Sequence, residues 1–123
     1  MFEIKVISHF DSAHRLRGYK GKCEELHGHS WKVELSVCSG LQDKTGMVLD
    51  FTLLKKQLKK VLYGLDHKYL NNLPYFRKVN PTSENIAKYI FGKLKTQYPR
   101  LKTNIKSVTV WESEASCATY YEE

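Results

Sequence analysis

Two histidines separated by one glycine, His27-Gly28-His29, are the residues whose types and spacing best support chemistry in this sequence. In an extended strand, residues two apart point to the same face, so both imidazoles can be aimed at one point. Convergent imidazoles are what a protein metal site requires. The apolar residues that follow keep the same alternation: Trp31, Val33, Leu35 and Val37. The histidine face of this strand is therefore expected to be the buried one.

A third histidine, His14, ends the first predicted strand. It shares even parity with the apolar residues of that strand, which are Phe2, Ile4, Val6 and Phe10. If the two strands pair antiparallel without a bulge, His14 comes against His27 and His29. Three histidines are the usual protein ligands of a catalytic zinc, which keeps a fourth position open. The alternative is three core histidines with their ring nitrogens hydrogen-bonded.

Cys23 lies four residues before His27 and has three possible roles. As a fourth ligand, its thiolate would close the coordination shell and make the zinc structural. As a non-ligand beside the metal, it would be held as a thiolate and could act as a general base. It could also be an inert, small apolar residue. The spacing leaves the first two roles open.

Two other places carry acid–base groups. Asp66-His67 follows a predicted helix, and a carboxylate beside an imidazole fixes its tautomer, as a proton shuttle requires. The alternative is a histidine that complements the helix dipole.

Glu112 shares parity with Val108 and Val110, so we expect its carboxylate on the apolar face, where it needs a partner. The amidine-like edge of a pterin or guanine would suit it, and a lysine salt bridge or a shifted register is the alternative.

The order of the elements indicates the fold class. Strands are predicted at 1–14, 27–39, 105–112 and 118–121. One helix is predicted to start at Phe51 and to end at Gly64, and a second to open at Pro81-Thr82 and to stop at Tyr98-Pro99. The order strand, strand, helix, helix, strand, strand predicts an α+β fold, with two helices on one face of an antiparallel sheet. A chain of 123 residues is expected to form a single domain, 1–123.

Charge and cysteine content limit the partners and the compartment. The net charge of +7 suits an anionic ligand, but it also fits a solvated, lysine-rich helix face. A basic, zinc-stabilised module that binds nucleotides or nucleic acid is a remote alternative, because no arginine stripe interleaved with aromatic residues is present. Three cysteines without framework spacing, and no signal-peptide or membrane-span pattern, lead us to expect a cytoplasmic protein without a membrane partner.

Six motifs in order along the chain resemble the 6-pyruvoyl-tetrahydropterin synthase family. They are FDSAHRL at 10–16, CEELHGH at 23–29, GMVLDF at 46–51, LDH at 65–67 with Leu70-Asn71, PTSEN at 81–85, and the strand that ends at Glu112. The resemblance implies the tunnelling fold (T-fold), whose subunits form trimeric barrels that stack as hexamers. It also implies active sites shared between subunits.

The resemblance implies a role for each candidate residue. His14, His27 and His29 would hold one zinc ion per subunit, and Cys23 would be the catalytic base. Asp66 and His67 would form a proton relay. Glu112 would anchor the pterin and belong to the same relay, and Thr82 and Ser83 would line the pterin pocket.

The implied substrate is 7,8-dihydroneopterin triphosphate. Three residues separate Cys23 from His27, which resembles the family branch that makes 6-carboxy-5,6,7,8-tetrahydropterin, acetaldehyde and triphosphate for queuosine and deazapurine biosynthesis. The pyruvoyl synthases have five residues there. A 6-pyruvoyl product is therefore one alternative, and a folate-branch 6-hydroxymethyl-dihydropterin product made through Glu24 or Glu25 is another. Arg15, Lys20 and Lys22 are candidate partners of the triphosphate.

Overall fold

The computed structural model describes residues 1–19, 25–101 and 104–122, and a five-stranded sheet forms within these ranges. The strands are β1 (Phe2–His14), β2 (His27–Ser39), β3 (Lys68–Tyr69), β4 (Ile105–Trp111) and β5 (Cys117–Tyr120). Their order across the sheet is β3-β1-β2-β4-β5. Neighbouring strands are antiparallel except the two-residue β3, which runs parallel to β1.

Each of the two α-helices begins at a residue whose side chain caps it. In α1 (Phe51–Tyr63), the Asp50 carboxylate accepts a hydrogen bond of 2.8 Å from the backbone N–H of Thr52. In α2 (Ser83–Gln97), the Thr82 hydroxyl accepts one of 3.1 Å from the backbone N–H of Asn85. Each cap satisfies an N–H group that has no partner within the helix. Short 3-10 helices cover Leu70–Asn72, Pro74–Arg77 and Pro99–Leu101.

Both helices pack on the same face of the sheet, which confirms the predicted α+β architecture. The buried stripe of α1 consists of Leu54, Leu58, Val61 and Leu62, and that of α2 of Ile86, Ala87, Ile90, Phe91 and Leu94. They meet the even-numbered residues of β1 and β4 and the odd-numbered residues of β2, among them Phe10, Trp31 and Val110. Phe51, at the first position of α1, is 53% exposed and does not belong to this stripe.

The pairing of β1 with β2 is continuous and sets the position of the histidines. It runs without a bulge from Phe2 opposite Ser39 to His14 opposite His27. The pairing of β2 with β4 has an irregularity between Ser36 and Val37, at the end of β2 away from the histidines. The sequence pattern did not predict β3, because a strand of two residues has no periodicity to detect.

No helix in the described ranges is both long enough and apolar enough to cross a membrane.

Candidate metal centre

Three histidines and one carboxylate converge at the end of the sheet. The residues are His14, His27, His29 and Glu112, and one ligand atom from each lies within 4.8 Å of all the others. His14 is the last residue of β1, His27 is the first of β2, and Glu112 follows β4 directly. Because the register sets His14 opposite His27 and Ser12 opposite His29, all three imidazoles leave the same face of the sheet.

Hydrogen bonds to backbone carbonyls fix the tautomers of two of these rings. Nδ1 of His14 lies 2.7 Å from the carbonyl oxygen of Pro81, and Nδ1 of His27 lies 2.6 Å from that of Glu25. A carbonyl oxygen only accepts, so each Nδ1 carries a proton and donates it. In the neutral rings both Nε2 atoms then present bare lone pairs, and these two atoms face each other at 3.0 Å.

Burial of the rings of His14 and His29 disfavours their protonation. Burial is the main cause that lowers the pKa of His14, against the hydrogen bond to Pro81 and the charge of Glu112. Burial also lowers the pKa of His29, again opposed by Glu112. Protonation of His14, which would let its Nε2 donate a hydrogen bond to Nε2 of His27, is therefore disfavoured. A cation between them would satisfy both lone pairs.

The third ring leaves a buried nitrogen without a hydrogen bond. Nε2 of His29 lies 3.2 Å from Oε1 of Glu112 but makes no hydrogen bond to it or to any other described group. A buried polar atom without a partner costs free energy unless something else binds it. Imidazole nitrogens with a carboxylate oxygen are a donor set that zinc accepts. The described residues therefore fit a bound zinc ion.

Trp31 forms the apolar wall of this centre. Its side chain is fully buried, and its ring centroid lies 4.9 Å from that of His14 and 5.1 Å from that of His29. The indole Nε1–H donates a hydrogen bond of 3.1 Å to the backbone carbonyl of Ser12, which fixes the orientation of the ring. Phe10 stacks on the indole at 5.8 Å. Packing against Trp31 thus holds His14 and His29, while the hydrogen bonds to backbone carbonyls hold His14 and His27.

The Asp66–His67 pair lies at the edge of β1 and is not part of the histidine cluster among the described residues. The Asp66 carboxylate accepts the backbone N–H of Asp11 at 2.9 Å, and the backbone N–H of His67 donates to the carbonyl of Asp11 at 2.6 Å. Nε2 of His67 lies 3.5 Å from Oδ2 of Asp66, and the histidine side chain is 79% exposed. His67 has a φ of 54°, a strained value for a residue other than glycine.

A cavity of about 340 Å³ opens beside the cluster, between the start of α2 and the turn after β4. It is lined by Ser83, Glu84, Glu112, Ser113, Ser116, Cys117 and Ala118. The hydroxyl of Thr82 is engaged in capping α2, whereas Ser83 faces Glu112. Glu112 belongs to both the cluster and the cavity. Sequence reasoning missed Glu84, Ser116 and Cys117, because no local pattern shows that α2 begins beside this turn.

Four residues singled out in the sequence, Lys20, Lys22, Cys23 and Glu24, lie outside the described residues. Glu25 is described, and its backbone carbonyl orients His27. The backbone of Arg15 exchanges hydrogen bonds with the Asn71 side chain, and its own side chain is exposed.

Comparison with known proteins gives consistent results across the chain. Residues 3–123 match the family model described as 6-pyruvoyl tetrahydropterin synthase. A Haemophilus influenzae protein named 6-carboxy-5,6,7,8-tetrahydropterin synthase is 33% identical, over 99% of this chain and 100% of that protein. A Synechocystis protein of the same name is 39% identical, over 91% of this chain and 87% of that protein. The structure of Caenorhabditis elegans 6-pyruvoyl tetrahydropterin synthase aligns with a TM-score of 0.87 at 30% identity, over 99% of this chain and 96% of that one.

Proposed function

This chain belongs to the 6-pyruvoyl tetrahydropterin synthase family and has its T-fold, and from that premise we propose which reaction it catalyses. It converts 7,8-dihydroneopterin triphosphate and one water molecule to 6-carboxy-5,6,7,8-tetrahydropterin, acetaldehyde and triphosphate. The names of its relatives at 33% and 39% identity support this product. The three residues between Cys23 and His27 support it independently. The product would serve queuosine and deazapurine biosynthesis in the cytoplasm.

The observation that carries the proposal is the facing pair of Nε2 lone pairs on His14 and His27, 3.0 Å apart. With His29 they would hold one zinc ion per subunit. The bound zinc would act as a Lewis acid that makes the side-chain hydroxyls of the substrate more acidic. The carbonyls of Pro81 and Glu25 keep the Nδ1 protons on His14 and His27, so the Nε2 lone pairs stay available.

Proton transfer is assigned to Cys23 and to the Asp66–His67 pair. Cys23 acts as the base, and Asp66 keeps His67 oriented for the relay. Because the pair lies outside the histidine cluster of its own subunit, the proposal includes a homo-oligomer in which neighbouring subunits share active sites. A trimer that stacks into a hexamer is the assembly we propose, with each chain forming one domain, 1–123.

The pterin ring is assigned to the cavity of about 340 Å³ beside the cluster. Glu112 would accept two hydrogen bonds from the amidine edge of the ring, and Ser83 would line the pocket. Thr82 is not among the residues that line this cavity, but as the N-cap of α2 next to Ser83 it would contribute to the rim of the pocket. The triphosphate needs cationic partners, for which Arg15, Lys20 and Lys22 are the candidates. The net charge of +7 favours the approach of such an anion.

The test is product analysis by mass spectrometry after zinc-loaded protein is incubated with 7,8-dihydroneopterin triphosphate. A 6-carboxy product together with acetaldehyde is the expected result, and it should disappear in His27→Ala and in metal-free protein. A 6-pyruvoyl product would contradict the assignment and agree with the name of the C. elegans structural relative. No turnover by zinc-loaded protein would contradict the proposal and favour the nucleotide-binding alternative.

A 6-hydroxymethyl-dihydropterin product is the second candidate, because Glu25 lies next to the centre and its backbone carbonyl orients His27 at 2.6 Å. Glu24→Gln and Glu25→Gln separate the two reactions. Loss of a hydroxymethyl product in either variant, with the carboxy product retained, would assign this minor reaction to that glutamate.

A further inference from the structure

The Glu112 carboxylate faces the histidine cluster and the neighbouring cavity at the same time. Its Oε1 lies 3.2 Å from Nε2 of His29, whereas its Oε2 lies 3.5 Å from the hydroxyl of Ser83 at the start of α2. The side chain is 28% exposed. A small rotation of this one side chain would therefore change which of the two sites it serves.

Among the described residues, the only ion-pair partner of Glu112 is His29. The two groups make no hydrogen bond to each other, and Nε2 of His29 has no other partner among the described residues. A partly buried carboxylate without a positive partner is unfavourable unless it binds a cation or a ligand with matching donors. The surroundings of Glu112 thus favour a bound positive charge, and no described lysine or arginine pairs with the carboxylate.

The spacing of the donor atoms indicates where that charge belongs. In a tetrahedral zinc site with ligand bonds of about 2.05 Å, neighbouring ligand atoms are about 3.3 Å apart. Nε2 of His14 and Nε2 of His27 are 3.0 Å apart, and Nε2 of His29 and Oε1 of Glu112 are 3.2 Å apart. All four atoms lie within 4.8 Å of one another. Both short separations are close to the edges of one coordination tetrahedron.

We propose that Glu112 is the fourth ligand of the resting metal centre, and that its carboxylate leaves the metal to bind the amidine edge of an incoming pterin. The inference rests on the proposed function, whose zinc ion and pterin it uses. A catalytic zinc needs an open position. In this chain that position opens when the pterin ring takes the carboxylate, so the centre is protected from other ligands until the ring is bound.

The test uses Co²⁺ in place of zinc, because its visible absorption reports the number and type of its ligands. Glu112→Gln should lower the Co²⁺ affinity by at least about tenfold and change the spectrum. Glu114→Gln, an exposed carboxylate two residues away that lies outside the cluster, is the matched control and should change neither. Because the amide oxygen of glutamine could still bind Co²⁺, the measurement is repeated with Glu112→Ala. Circular dichroism checks that this variant is folded like the wild type.

The release step is tested with unsubstituted pterin, which lacks the side chain that the metal would bind. Adding it to wild-type Co²⁺ protein should shift the spectrum towards that of Glu112→Gln. An unchanged spectrum at pterin concentrations that saturate the protein by fluorescence would overturn the release. Equal Co²⁺ affinity and spectrum in the wild type and Glu112→Gln would overturn the ligand assignment and leave the proposed reaction standing. Failure of the wild type to bind Co²⁺ would overturn the metal centre of the proposed function itself.

Discussion

Replacing Trp31 with phenylalanine should weaken both the fold and the metal centre. Trp31 is fully buried, contacts the rings of His14 and His29, and donates a hydrogen bond of 3.1 Å to the carbonyl of Ser12. Phenylalanine keeps an aromatic ring at this position but has no N–H group and a smaller volume. The substitution therefore removes the hydrogen bond and leaves a void against the two imidazoles.

The size of the effect follows from these two losses. Leaving a buried carbonyl without its donor costs about 1–3 kcal/mol, and the smaller ring adds about 1 kcal/mol through the void. The free energy of unfolding should fall by about 2–4 kcal/mol in total. In a chain of this length, each kcal/mol lowers Tm by about 4 °C, so Tm should fall by about 8–16 °C. Zinc affinity should fall by about 10–100-fold, because the rings lose an orienting neighbour.

The chain provides a matched control, because it has only two tryptophans. Trp111 is half-buried on the opposite face of the sheet, where its Nε1–H donates to Glu34 at 3.1 Å and Lys32 lies over its ring at 5.1 Å. Trp111→Phe should cost less than about 1 kcal/mol and leave zinc affinity unchanged. Thermal unfolding and zinc titration compare the variants at one fixed protein concentration, because the proposed assembly would contribute to Tm. Equal losses in both, or full zinc affinity in Trp31→Phe, would refute this reasoning.

Three further predictions concern the same centre. Cys23→Ala should retain zinc and lose turnover, and loss of zinc, measured by metal analysis after dialysis, would instead make Cys23 a ligand. Burial lowers the pKa of His14 and His29 in the folded protein. Below about pH 6.5 the unfolded chain therefore binds more protons than the folded one. The metal-free protein should accordingly lose stability as the pH falls through that value. Urea midpoints that stay constant between about pH 8 and pH 5 would contradict this. At Cu²⁺ concentrations that saturate both variants, Cu²⁺ should quench the fluorescence of Trp31 in Trp111→Phe much more than that of Trp111 in Trp31→Phe. Equal quenching would exclude metal binding beside Trp31.

The convergence of the three histidines could be predicted because it depends only on parity. His27 and His29 are two apart in one strand, and His14 shares the parity of the apolar residues in the other. Once the strands pair antiparallel without a bulge, these facts bring the rings together. The same reasoning predicted that Glu112 lies on the apolar face. It did not predict the contact with His29, which depends on β2 and β4 being neighbours in the sheet.

Other features could not be predicted because they depend on tertiary contacts. Ser36 lies on the face of β2 opposite the core and yet is only 3% exposed, and its hydroxyl donates to the Glu3 carboxylate on the neighbouring strand. The carbonyl of Pro81 meets Nδ1 of His14 across 67 residues of sequence. No local pattern encodes a contact of that kind. The short strand β3 was missed for the opposite reason, since it is too short to show a pattern.

The continuous pairing of β1 and β2 has a consequence for how this protein tolerates changes in length. One residue inserted into β1 between Phe2 and His14 would turn every residue on one side of it to the other face of the sheet, unless a bulge absorbed it. His14 would then point away from His27, and the proposed metal site would be lost even if the sheet still formed. Inserting two residues restores the alternation. An insertion of odd length should therefore abolish metal binding, whereas an insertion of even length at the same place should retain it.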